Sequence, residues 1–126
     1  MNRMLLHRRS AVVAALATLG LFASLAQAAT RAPSASERSA IIHAFGDPPA
    51  ASPCLIVRLA ASDPDYGDVR FRMTKACVRW GFNGTNVIER GSAGRWSVKF
   101  EGSSYRCPVP AIPRSVQHDL GVCPEP

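Results

Sequence analysis

From Asn86 to Glu101 the apolar and polar residues follow the pattern of a β-hairpin. The stretch Arg95-Trp96-Ser97-Val98-Lys99-Phe100-Glu101 alternates without a break, which is the period of a half-buried antiparallel strand. Val87-Ile88-Glu89-Arg90 supplies its partner. Gly91-Ser92-Ala93-Gly94 joins the two, with glycines able to take the positive φ of a tight reversal. Trp96, Val98 and Phe100 are therefore expected on one face, turned to a core that the other segments cover.

Upstream, the spacing predicts a helix beginning at Ser34. Ser34 with Glu37 three residues on makes a capping box, Ile41 and Phe45 lie one turn apart with Ile42 beside them, and Gly46 before Pro48-Pro49 ends the helix. This helix is the expected cover for the Trp96 face, with Thr30 to Ala32 a disordered lead-in. Cys54 to Ser62 and Val69 to Trp80 read as strands around the turn Asp63-Pro64-Asp65-Tyr66-Gly67. Matching apolar with apolar pairs Ala61 with Val69, Leu59 with Phe71 and Val57 with Met73. Past Met73 the apolar phase slips to Ala76, Val78 and Trp80, so a β-bulge is expected near Thr74 or Lys75. With that bulge Cys54 falls opposite Cys77 at a Cα separation of about 5.5 Å, which a disulfide accepts.

After the central hairpin, Pro108, Pro110 and Pro113 punctuate the route to a short helix. Pro113 suits its first position, Ile112, Val116 and Leu120 recur on one side, and Gly121 closes it before Cys123. The predicted fold class is α+β, with an N-terminal helix packed on a curved antiparallel sheet of about four strands in two hairpins and a short C-terminal helix.

Charge and cysteine content set the compartment. Arg3, Arg8 and Arg9 precede the apolar run Ala11 to Phe22, and Ala26-Gln27-Ala28 has the small-x-small form of a cleavage site. Residues 1–28 thus read as a signal peptide, too short in its apolar part to span a bilayer, and 29–126 as a single exported domain. Arg8-Arg9 resembles a twin-arginine leader, but the weakly hydrophobic residues after it favour the general secretory route. The expected location is extracellular, or periplasmic in a Gram-negative host. Three of the 15 Lys and Arg and none of the 9 acids lie in that leader, so its removal lowers the net charge from +6 to +3. The high pI therefore overstates the case for nucleic acid, and no nucleic-acid partner is expected.

Taking 28 residues from 126 leaves 98, a domain that buries only about two thirds of its unfolded surface and gains from cross-links. All four cysteines lie beyond Ala28 and read as two disulfides. The register argument pairs Cys54 with Cys77. Cys107 with Cys123 then ties the terminal helix to the end of the central strand across the proline-rich loop. No Cys-x-x-Cys pair presents two thiolates for zinc, and no metal or cofactor is expected.

The candidate chemistry is sparse. His43 sits beside the apolar stripe of the first helix, with Asp47 spaced i,i+4 but past the glycine stop. Asp63-x-Asp65-x-Gly67-Asp68 has the opening of a calcium loop, yet Pro64 interrupts it and Thr74 stands where a bidentate Glu belongs. Asn83-Gly84-Thr85 is a formal sequon and also an Asn-Gly turn, the reading adopted. His118 and Asp119 are neighbours on a helix and point in different directions, which is poor geometry for a catalytic pair. Arg58, Arg70 and Arg72 project from the first hairpin opposite its apolar set and are the candidate binding face.

Several pieces, among them Glu37 to Phe45, Ser62-Asp63-Pro64-Asp65-Tyr66, Arg95-Trp96-x-Val98, Val109-Pro110 through Val116 and Asp119-Leu120-Gly121 to Cys123, together resemble uncharacterised small secreted proteins of high-GC Gram-positive bacteria. The order helix, hairpin, hairpin, short helix is similar to the cystatin-like or NTF2-like architecture. The resemblance implies a fold and an exported location, with no activity and no catalytic residues to transfer.

Three functions compete. The first is a non-enzymatic module that binds a protein or an anionic polymer through a sheet face or rim. The second is a protease inhibitor using the loop Pro108 to Pro113. The third is a small hydrolase such as a ribonuclease, built from His43, His118, Glu89 and an arginine, which needs two of these within hydrogen-bond reach. No Gly-x-Ser-x-Gly elbow or His-Glu-x-x-His motif supports it, so the binding module is the expectation.

Overall fold

In a computed structural model, which describes residues 29–81 and 84–124, the chain forms a five-stranded antiparallel meander in the order β1-β2-β3-β4-β5. The strands are β1 Thr30–Arg31, β2 Leu55–Ala60, β3 Tyr66–Phe71, β4 Thr85–Arg90 and β5 Trp96–Gly102, with helices α1 Ala35–Phe45 and α2 Arg114–Asp119. The signal-peptide reading and the residue Asn83 of the Asn-Gly turn lie outside the described residues.

Helix α1 begins and ends where its capping residues dictate. The Ser34 hydroxyl accepts from the Glu37 N–H while the Glu37 carboxylate accepts from the Ser34 N–H, and Gly46 closes the last turn in the left-handed conformation. A 3₁₀ helix, Pro49–Cys54, then leads into β2. Thr30 and Arg31 form an edge strand, with Thr30 opposite Ala60 and Arg31 opposite Leu59, instead of a disordered lead-in. Arg31 also donates to both oxygens of Glu37, at 3.0 and 2.9 Å, which fastens the edge to the start of α1.

The β2–β3 register differs from the apolar matching. Val57 faces Val69, Leu55 faces Phe71 and Leu59 faces Gly67, so the turn is tighter than expected and β3 ends at Phe71. Gly67 decides this. A Cβ there would lie 2.5 Å from the Arg58 carbonyl oxygen and 2.7 Å from Leu59 Cδ2, so this register admits no side chain at position 67. Beyond Phe71 there is no bulge, because there is no strand to carry one. Thr74 to Trp80 instead coils into helical turns, with Cys77 and Val78 donating to the Thr74 carbonyl and Trp80 to that of Cys77. Both disulfides nonetheless form as paired above: Cys54–Cys77 at a Cα separation of 5.4 Å and Cys107–Cys123 at 5.8 Å.

The sheet is buried on both faces. On one, Ile41 of α1 packs with Leu55, Val57, Leu59, Val69, Ile88 and Trp96. On the other, Ala60 and Val87 pack with Val109, Ile112, Val116, Leu120 and Val122 of the C-terminal segment. This double coverage corrects the single-face reading of β5. Val87 pairs with Phe100 but Ile88 pairs with Val98, so the ladder slips by one residue at Lys99. Trp96 therefore joins the α1 side, Phe100 packs on the C-terminal side, and Val98, at the uncovered edge, is 40 % exposed.

Candidate functional site

The three arginines of the candidate face have different fates. Arg58 and Arg70 do project opposite the α1 core, but the C-terminal segment covers that face. Asp68, fully buried on the same face, accepts from Arg58 Nε at 3.0 Å and from Arg70 Nε at 2.5 Å. Both guanidinium groups also donate to the Leu120 carbonyl, at 3.2 and 2.9 Å, at the C-terminal end of α2, where the helix dipole favours cations. The carboxylate raises the Arg58 pKa further above its ordinary value. Arg58 and Arg70 are thus committed to holding α2 on the sheet.

Arg72 opens onto a different surface. Its N–H donates to the Cys54 carbonyl at 2.8 Å, extending the β2–β3 ladder by one bond, and its side chain is exposed at the start of the coil that runs to Gly81. That coil is pinned at three points: the Arg72 backbone, the Cys54–Cys77 disulfide, and Gly81, whose absent Cβ would clash with the Phe71 ring, 2.6 Å from Cδ2. Phe71 is itself held 6.3 Å from the Phe45 ring of α1. Between these pins Arg72, Lys75 and Arg79 are all exposed, and Arg79 lies 4.9 Å over the Trp80 ring. No ion pair to any of the three forms among the described residues, and no acid occurs in the sequence between Asp68 and Glu89. Met73 and Val78 stand among them, 57 % and 50 % exposed.

The sequence does not show this loop as a site, because Val69 to Trp80 has the pattern of a strand. The available signal was the run of cations without an acid, coinciding with the point where apolar alternation failed. A strand keeps its period, whereas a loop tethered by Cys77 has none to keep.

The other candidate groups do not converge. His43 borders a shallow depression on the α1 side, with Arg38, Asp47 and Ser52, while His118 borders another beside Cys107, Pro108 and Arg114 on the C-terminal side. The sheet separates them. Asp119 accepts from the Ser62 N–H at 2.7 Å, its other oxygen 4.0 Å from His118 Nδ1. Glu89 accepts from the Tyr66 hydroxyl at 2.7 Å and pairs with Lys99 at 2.9 Å. The Glu89 charge pushes the Tyr66 hydroxyl up to about 12, and these two partners hold the Glu89 carboxyl below its usual range. In the Asp63 turn, Asp63 accepts from the Asp65 N–H and Asp65 pairs with Arg90. Asp47 has one buried oxygen with no hydrogen-bond partner, and burial followed by the Glu101 charge raises its pKa.

The proline-rich loop turns Val109 and Ile112 inward and leaves its prolines exposed. Val109 and Ile112 are buried, and the Gln117 side chain bonds to both, leaving Pro110 and Ala111 at the exposed tip. No helix among the described residues is long and apolar enough to cross a membrane. Comparison with family models, with curated proteins and with solved structures finds no match.

Proposed function

We propose that the protein is an exported, non-enzymatic binding module that presents the disulfide-tethered loop Arg72–Gly81 to an anionic partner outside the cytoplasm. The observation that carries this reading is the set of three exposed cations, Arg72, Lys75 and Arg79, held on a pinned loop and in no ion pair among the described residues. An exposed cation on a mobile tail costs entropy to position. Here the disulfide and the Phe71–Gly81 packing have already met that cost in folding. Two disulfides suit an oxidising compartment, and the signal-peptide pattern supplies the route there. Helix α1 lying on an antiparallel meander supports the cystatin-like or NTF2-like comparison, to which the C-terminal layer on the opposite face is an addition. Separation of His43 from His118 by the sheet, and the engagement of Glu89 by Tyr66 and Lys99, favour binding over acid-base catalysis. An inhibitory loop at Pro108 to Pro113 is less favoured, since its largest side chains are turned into the core.

Retention on a phosphate-bearing matrix tests the reading. The triple variant Arg72→Gln, Lys75→Gln, Arg79→Gln should elute at clearly lower salt than the wild type. A control with Arg95, Arg106 and Arg114 changed to Gln, three other exposed cations, alters the net charge equally. Equal elution of the two variants would reduce the effect to bulk charge and sink the loop as the site.

A further inference from the structure

Cations alone explain attraction to any anion, but not the side chains set between them. Met73 and Val78 are two of the three large apolar residues that stand strongly exposed among the described residues, and both belong to the cationic loop. A soluble polyanion offers phosphate or carboxylate and leaves such side chains in water. A phospholipid surface offers both halves: anionic headgroups for the cations and, a few ångströms deeper, an apolar boundary.

Resting on the binding-module reading above, we propose that the loop docks on the surface of an anionic phospholipid bilayer, with Met73 and Val78 entering the boundary below the headgroups and Arg72, Lys75 and Arg79 meeting the phosphates. The backbone on either side of the two exposed apolar residues is fixed. The Arg72 backbone is bonded to Cys54, Cys77 is tied to the same residue, and Gly81 is closed against Phe71. Trp80 is half-buried with Arg79 stacked 4.9 Å over it, an aromatic and a cation side by side, which is the composition favoured at a membrane interface. The stretch itself carries only positive charge, since the sequence holds no acid between Asp68 and Glu89. Each cation near an anionic surface contributes about fivefold in partitioning, so three contribute about a hundredfold. The contact is peripheral and reversible, weakening as salt shortens the reach of the charges.

Vesicle co-sedimentation tests this with protein recovered from the culture medium after expression of the full chain. Every variant then carries the same N-terminus, and differences between variants read the loop. Vesicles of phosphatidylglycerol and phosphatidylcholine are compared with phosphatidylcholine alone, and soluble polyphosphate serves as the competing polyanion. The expected result is preferential binding to the anionic vesicles. It should fall about a hundredfold in Arg72→Gln, Lys75→Gln, Arg79→Gln, and severalfold in Met73→Ser, Val78→Ser, with polyphosphate binding unchanged in the latter. All five positions are exposed, and a thermal melt with disulfide mapping verifies that each variant is folded. Binding to polyphosphate but not to vesicles, or vesicle binding indifferent to Met73→Ser, Val78→Ser, overturns the lipid proposal and leaves the loop as a polyanion site. Binding to neither overturns the lipid proposal and the binding-module reading together.

Discussion

The Gln117 side chain pairs with the backbone of Val109 as one strand pairs with another: its amide oxygen accepts from the Val109 N–H at 2.8 Å and its amide nitrogen donates to the Val109 carbonyl at 2.9 Å. The same nitrogen donates to the Ile112 carbonyl at 2.6 Å. Val109, Ile112 and Gln117 are all buried, so one side chain satisfies a buried N–H and two carbonyls of the proline-rich loop. Gln117→Leu should destabilise the protein by about 2–3 kcal/mol, because it strands a buried N–H and two carbonyls. Gln117→Glu should be worse at neutral pH, where a buried carboxylate faces those carbonyls, and should recover partly on acidification. Chemical denaturation of both variants at two pH values provides the measurement.

Asp68 joins β2, β3 and α2 through Arg58, Arg70 and the Leu120 carbonyl. Asp68→Ala leaves two guanidinium groups on a largely covered face, with a cost expected near the lower end of broken buried pairs, about 3 kcal/mol. Because the carboxylate is fully buried, added salt should recover little of the difference. A strong salt dependence of the wild-type minus variant gap would show that the pair is solvent-screened.

The Arg31–Glu37 contact sets a pH response. Arg31, then the Ser34 N–H, holds the Glu37 carboxyl down to about 2. A carboxyl depressed on folding contributes stability above its unfolded pKa, close to 4.5, and that contribution is lost as pH falls toward about 2. The Arg31 side chain is 44 % exposed, so water screens the pair and the effect is small. Glu37→Gln should flatten the fall in melting temperature across that window while leaving its value near neutrality only slightly lower.

The Cys54–Cys77 bond spans 23 residues and Cys107–Cys123 spans 16. In the chain-entropy picture each contributes about 3 kcal/mol. The double change Cys54→Ala, Cys77→Ala should lower stability by about that amount. It should also raise amide exchange between residues 72 and 81 more than in α2, because this bond alone pins the middle of the loop. Cys107→Ala, Cys123→Ala should show the reverse pattern.

Local rules were enough for α1. Ser34, Glu37 and Gly46 act over one turn of chain, and their bonds require no distant partner. The hairpin turn at Gly91–Gly94 is equally local, with Gly94 in the left-handed region and donating to the Gly91 carbonyl. The cysteine pairing is legible because the reversal at residues 61–65 lies close to midway between Cys54 and Cys77, although the pairing comes about through a coil after Phe71 and not through the expected strand register. What the sequence could not determine is how many faces of the sheet are covered. Alternation in Trp96-Ser97-Val98-Lys99-Phe100 looks the same whether one face is buried or whether a slip at Lys99 sends Trp96 to α1 and Phe100 to the C-terminal layer. Only the packing of a second layer distinguishes them. That layer also turns Arg58 and Arg70 from a surface patch into the clamp on Asp68 and Leu120. With those two arginines occupied, the remaining candidate is Arg72, joined by Lys75 and Arg79 in the coil that follows Phe71, a placement that the close β2–β3 register allows because position 67 carries no side chain.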